Sequence, residues 1–242
     1  MRRLRVCLLV AVTVVLGACG SPPRVSSPAP TPPPTVAPTP TPTPAPDTES
    51  VTLVSSGLGV YQAVVVPVAV IRNAATRTGV RGVVVHFVPT RGGRALTPLD
   101  SPAVTLYPGE TLAVTADCTD TCNNTGTVRD PDGLTVTVGA GTWAPLPGSA
   151  LTATTVRSAC ASGCGGGHGQ WDVAATVGSP ELSQGTRVDL FTWCTNAGGA
   201  IVGGSPPTVV LWPQNGGMLN LTLHAILSAP PGTCQVGASA PI

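Results

Sequence analysis

Leu219-Asn220-Leu221-Thr222-Leu223-His224 alternates apolar and polar side chains without a break. In an extended chain successive side chains point to opposite faces, so the three leucines share one face and Asn220, Thr222 and His224 share the other. Leu134-Thr135-Val136-Thr137-Val138 repeats the alternation, which is the period of a strand with one buried face. Glycine and proline punctuate the spaces between such runs, as in Arg91-Gly92-Gly93, Pro108-Gly109 and Gly198-Gly199, and these residues supply turns. Composition points the same way. The 242 residues include 33 Val and 32 Thr but only three Glu and no Lys, so β-branched residues are abundant and good helix formers are scarce. The fold class expected is all-β, made of half-buried antiparallel strands.

Charge removes two kinds of partner. Twelve Lys+Arg against 11 Asp+Glu give a net charge of +1, whereas recognition of a phosphate backbone needs clustered cations. No nucleic-acid partner is expected, and no polyacidic interaction tail.

The N-terminus reads as an address. Met1-Arg2-Arg3-Leu4-Arg5 is basic, and Val6 to Leu16 is apolar but far shorter than the roughly 20 residues a bilayer-spanning helix needs. The stretch ends in Leu16-Gly17-Ala18-Cys19, which resembles the lipobox of bacterial lipoproteins. The resemblance implies that residues 1–18 are a signal peptide removed on export, and that Cys19 receives two or three acyl chains such as palmitate. That number of chains anchors a protein stably where one chain does not. The localisation implied is the extracytoplasmic face of the cell membrane, with the membrane itself as a partner through the lipid. The resemblance covers 19 residues and carries no activity.

Residues 21–46 contain 12 prolines in 26 positions, including Thr39-Pro40-Thr41-Pro42-Thr43-Pro44. Such chain builds no core and favours polyproline II at roughly 3.1 Å per residue, a reach of about 80 Å. Residues 19–49 are therefore expected to be the lipidated cysteine plus a disordered Pro/Thr-rich linker.

Beyond the linker the chain echoes itself. Val83-Val84-Val85-His86-Phe87, Ala103-Val104-Thr105-Leu106-Tyr107-Pro108 and Leu112-Ala113-Val114-Thr115-Ala116 are followed, 104 to 107 residues later, by Val188-Asp189-Leu190-Phe191, Thr208-Val209-Val210-Leu211-Trp212-Pro213 and Leu219-Asn220-Leu221-Thr222-Leu223. Val51-Thr52-Leu53-Val54 is echoed by Ala153-Thr154-Thr155-Val156. A period near 100 residues predicts two tandem antiparallel β-sandwiches, residues 50–145 and 146–242. Strands every 10 to 20 residues between Gly/Pro turns resemble immunoglobulin-like sandwich modules of exported bacterial proteins. There is no Trp between paired cysteines at the immunoglobulin spacing.

Cys7 leaves with the signal and Cys19 carries lipid, so six of the eight cysteines fall in the folded part. Six in an exported chain allow 15 connectivities, and the spacings favour Cys118 with Cys122, Cys160 with Cys164 and Cys194 with Cys234. The competing reading of Cys160-x-x-x-Cys164-Gly-Gly-Gly-His168 is a copper(I) or zinc site built from two thiolates and an imidazole. Asp117, Asp120, Asn123, Asn124, Asp130 and Asp132 crowd one connection and supply oxygens suited to calcium, although Asp130-Pro131-Asp132-Gly133 is also a turn signal. No resident metal or cofactor is expected.

Catalytic sets are thin. Glu49, Glu110 and Glu181 are scattered, and a Ser158, His168 and Asp172 set has no nucleophile-elbow motif beside it. His86 is expected to pack within a Val-rich strand. Trp143, assigned to the joint between halves, and Trp171, after the glycine loop, would suit sugar stacking if exposed. The leading reading is thus a non-catalytic, membrane-anchored structural or protein-binding module. The alternative is a ligand-binding lipoprotein that takes cell-wall glycan or metal on the segment from Cys160 to Trp171.

Overall fold

The computed structural model describes residues 47–62, 64–116, 128–214 and 217–240. The expectations for Cys19, the linker up to residue 46 and the Cys118–Cys122 pair lie outside the described residues. Ala45–Ile242 is one compact unit, all-β with antiparallel pairing throughout and no helix among the described residues.

In the first half run β1 (Val51–Tyr61), β2 (Val64–Asn73), β3 (Gly79–Val83), β4 (Val85–Arg91), β5 (Arg94–Ala95), β6 (Leu99–Asp100), β7 (Val104–Leu106), β8 (Thr111–Thr115), β9 (Gly133–Val138) and β10 (Thr142–Ala144). The second half contains β11 (Thr152–Ser162), β12 (Gly169–Gly178), β13 (Arg187–Thr195), β14 (Ile201–Gly204), β15 (Thr208–Leu211), β16 (Met218–Leu227) and β17 (Thr233–Ser239).

One pairing scheme appears in both halves. The β1–β2 hairpin gains β8 as its third strand, and the β11–β12 hairpin gains β16. β4 pairs β9, and β13 pairs β17. Even an irregularity recurs: the register slips between Leu53 and Ser55 in β1 and between Thr155 and Arg157 in β11. Each slip turns one valine outward, leaving Val54 57% and Val156 67% exposed, as a bulge residue without a cross-strand partner would be. The sequence echo of Val54 and Val156 is therefore an echo of geometry.

Three apolar clusters form the core. Val65, Ile71, Phe87, Leu106 and Leu112 belong to the first half's cluster, and Val173, Leu190, Trp212, Leu223 and Leu227 to the second's. The third, with Val66, Val68, Val70, Ala113, Ile201 and Ile226, joins the halves. This explains why β2 reads as an unbroken apolar run instead of alternating: Val65, Ala69 and Ile71 face the first core while Val66, Val68 and Val70 face the seam. Each buried valine is worth about 1.5–3 kcal/mol relative to exposure, so the seam is a substantial part of the fold. Phe191 of β13 reaches into the first half's cluster, and the Ser239 hydroxyl accepts a hydrogen bond from the Thr105 amide at 3.0 Å.

The seam also needs glycine. A Cβ on Gly57 would lie 2.8 Å from the Ile201 side chain, and one on Gly59 would lie 3.0 Å from the Gly203 Cα and overlap the Ile226 carbonyl. Only a missing side chain lets β1 approach β14 and β16 so closely. Polar groups are fixed just as firmly at the end of β2, where Asn73 is fully buried. Its amide donates to the carbonyls of Thr78 and Tyr107, both at 2.9 Å, and its side-chain oxygen accepts from the Ala75 amide at 2.9 Å.

Candidate functional site

The segment from Cys160 to Trp171 forms the tip of the β11–β12 hairpin. β11 carries Cys160 on the exposed edge of the sheet, and the chain turns back through residues 163–168. Gly166 and Gly167 sit at φ +81° and +88°, the left-handed region that glycine enters at little cost, and Gly167 packs against Pro230. Gly163 lies on the Tyr61 hydroxyl, and the Tyr61 and His168 rings stand 6.1 Å apart. The tips of the two equivalent hairpins thus meet.

Cys160 and Cys164 are joined in a disulfide, which uses both thiols proposed as metal ligands. His168 is exposed and lies by Tyr61. Among the described residues no group of three His, Cys, Asp or Glu side chains is placed to hold a metal ion. Cys194 and Cys234 form a second disulfide, as directly opposed residues of β13 and β17 with Cα atoms 4.0 Å apart. This bridge is buried in the second half's core. Of the crowded acidic connection, only Asp130 and Asp132 fall within the described residues. The Asp132 carboxylate accepts the Gly92 amide at 2.8 Å, and Asp130 pairs with Arg129 at 3.2 Å, so both serve as turn residues.

The Ser158, His168, Asp172 combination does not assemble. Asp172 Oδ1 lies 2.8 Å from Nδ1 of His224, its cross-strand neighbour on β16, not from His168. A matching pair exists in the first half, where His86 Nδ1 lies 2.7 Å from Asp100 Oδ1. His86 is therefore not packed inside, as its Val-rich surroundings suggested. β4 alternates, with Val85 and Phe87 inward and His86 outward into solvent. Nor do the two tryptophans form an exposed platform. Trp143 lies in β10 rather than in a joint and packs on the first core, and Trp171 packs on the second. The Trp171 Nε1 is buried without a hydrogen-bond partner.

Two acidic groups have perturbed chemistry. Burial pushes the Glu110 carboxyl up to about 7, against the opposing pull of the Tyr107 amide, which donates to Glu110 Oε2 at 2.7 Å. Glu110 closes the Pro108–Gly109 turn between β7 and β8. Beside it the Tyr107 hydroxyl donates to the Pro147 carbonyl at 3.3 Å, and the Glu181 carboxylate accepts the Ser149 amide at 3.2 Å. This cluster fastens the connection between halves. Asp47 is held well below the ordinary carboxylate range, first by the Thr76 amide and then by the Arg77 amide and the Thr76 and Thr78 hydroxyls. It ties the start of the described chain to the β2–β3 turn.

Sequence reasoning missed the grooves that run between strand edges. One lies between β11 and the start of β17, lined by Ala153, Thr155, Ser158, Thr233 and Gln235 among others. Nothing in these small uncharged residues signals a site, because the groove arises from pairing and not from residue type. Compared with known family models, curated proteins and solved structures, the chain matches none.

Proposed function

We propose that the protein is an exported lipoprotein, held at the extracytoplasmic face of the cell membrane by acyl chains on Cys19. The Pro/Thr-rich linker would carry a tandem immunoglobulin-like β-sandwich unit that acts as a non-catalytic structural or protein-binding module. The observation that carries this reading is the order of parts: Leu16-Gly17-Ala18-Cys19, then a proline-rich stretch, then an all-β unit with disulfides at Cys160–Cys164 and Cys194–Cys234. Disulfides persist in oxidising compartments, which agrees with an export address. The test is the intact mass of the mature protein from its native membrane, with and without reduction and delipidation. A chain that starts at an acylated Cys19 and gains six hydrogens on reduction supports the reading. An unacylated chain starting elsewhere, or free Cys160 and Cys164 thiols with bound copper or zinc, overturns it.

A further inference from the structure

The two disulfides sit in opposite settings. Cys194 and Cys234 are 0% and 5% exposed within the second core, out of a reductant's reach while the fold is closed. Cys160 is exposed and Cys164 half-buried at the tip of the β11–β12 hairpin. Thiol–disulfide exchange requires a thiolate to meet a sulfur, and exposed bridges are the ones that exchange readily.

What the exposed bridge holds is mostly glycine. Gly163-Cys164-Gly165-Gly166-Gly167-His168 has four glycines in six residues, and Gly163, Gly166 and Gly167 take left-handed φ values of +69°, +81° and +88°. Glycine loses more conformational freedom on ordering than any other residue. Strand pairing returns little here. The β11–β12 register slips after Cys160 and resumes with the single pair Ser162–Gln170, and within the turn the Gly167 amide donates to the Cys164 carbonyl at 3.1 Å. Yet the tip is placed against other parts of the molecule. Gly163 lies on the Tyr61 hydroxyl, Gly167 is buried against Pro230 in the β16–β17 turn, and the His168 ring stands 6.1 Å from that of Tyr61. A covalent closure across the start of this glycine run offsets its disorder and keeps it on those contacts.

We propose that Cys160–Cys164 is a thiol–disulfide exchange site that works as a redox clasp: a dithiol reductant opens it in the folded protein, and opening frees the hairpin tip from Tyr61 and Pro230. One thiolate of the dithiol attacks the Cys160 sulfur and forms a mixed disulfide, while Cys164 leaves as a thiolate and takes a proton. The second thiolate of the dithiol then attacks the reductant sulfur of that mixed bond, and Cys160 leaves and is protonated in turn. Two electrons and two protons pass to the protein, and the reductant ends as a disulfide. An oxidising compartment keeps the clasp closed at rest. This chemistry goes beyond the module reading and does not depend on the acyl anchor, so either can fail while the other stands.

The test treats the full mature, oxidised protein with increasing dithiothreitol under native conditions, traps thiols with an alkylating reagent and maps them by peptide mass spectrometry. Amide hydrogen exchange is measured before and after. Cys160 and Cys164 should be trapped about tenfold faster than Cys194 and Cys234. Exchange at the Gly167 amide should speed up on reduction while β13 and β17 keep their protection, and a Cys160→Ser, Cys164→Ser variant should show the fast exchange with no reductant present. Coupling is reciprocal, so contacts that hold the tip also favour the closed bridge. Pro230→Ala, at an exposed position, should therefore shift the dithiothreitol equilibrium about threefold toward the thiols. Equal trapping of the two bridges, or opening of Cys160–Cys164 only on unfolding, overturns the exchange site. Selective opening with unchanged Gly167 exchange, or an equilibrium that Pro230→Ala leaves unmoved, overturns the clasp.

Discussion

Removing the Cys194–Cys234 disulfide should cost roughly twice as much stability as removing Cys160–Cys164. The bridged residues are 40 apart in the first case and 4 in the second. In the loop-entropy description a cross-link stabilises by restricting the unfolded chain, with a term that grows as the logarithm of loop length. At 25 °C this gives about 4 kcal/mol for the long loop and about 2 kcal/mol for the short one. Packing widens the gap, because Cys194 and Cys234 are buried in the second core, whereas Cys160 sits on an exposed strand edge. The perturbations are Cys194→Ala with Cys234→Ala, and Cys160→Ser with Cys164→Ser, each leaving the remaining cysteines in place. Guanidinium unfolding of the mature chain, followed by tryptophan fluorescence, reads both. The expected result is a much lower midpoint for the first variant, with a steeper denaturant dependence because its unfolded state exposes more surface, and a smaller shift for the second. In thermal terms the long bridge corresponds to roughly 8–16 °C for a unit of this size. A short-loop variant as destabilised as the long-loop one would refute the reasoning and show that the hairpin tip is a structural keystone.

Four further outcomes follow from named contacts. Glu110 has a folded pKa of about 7 against an ordinary 4.5, so the folded state holds its proton more tightly and the unfolding free energy should fall as pH rises from 4.5 through 7. Glu110→Gln should flatten that fall and raise stability at pH 8 by up to about 3 kcal/mol; a pH profile identical to wild type would contradict the burial of this carboxyl. Gly59→Val should lose about 3 kcal/mol by overpacking the approach of β1 to β14 and β16, and a neutral urea midpoint would rule out the close seam. Asn73→Leu leaves the Thr78 and Tyr107 carbonyls and the Ala75 amide without this partner, for an expected loss of about 3 kcal/mol or more in chemical denaturation. Asp47→Ala should speed hydrogen exchange at the Thr76, Arg77 and Thr78 amides. Because the carboxyl is held well below its ordinary value of 3.8, the protection it gives wild type should persist at neutral pH, begin to weaken only as pH falls past that ordinary value, and vanish only well below it.

Much of the fold was legible because burial on one face imposes a period of two. Leu223 is buried with Leu219 and Leu221 half-buried above it, while Asn220, Thr222 and His224 are exposed, as their alternation requires. β2 carries no alternation to read, since a strand sandwiched between two apolar layers needs none, and that is why the seam between halves escaped notice. His86 misled for a related reason: its neighbours are apolar, but every second residue of β4 faces water. Of the matched Tyr107 and Trp212, only Trp212 is fully enclosed, at 1% exposed, so equal sequence position did not mean equal environment.

The candidate sites divide along a different line. Cysteine pairs were legible since a bridge between Cys194 and Cys234 requires two strands to lie side by side, and β13 and β17 do so in register. Sites proposed from residue type alone fared otherwise: the imidazole of His168 and the carboxylate of Asp172 lie close in sequence, yet β12 hands Asp172 to His224 on β16, 52 residues away. In an antiparallel sheet each side chain's nearest polar neighbour is chosen by register, which spacing along one strand does not encode. β1 and β11 are equivalent strands in the repeat, but Gly57 and Gly59 let the second half close on β1, whereas the aligned residues of β11 are Ala159 and Ala161. A Cβ at those positions bars an equally tight backbone approach.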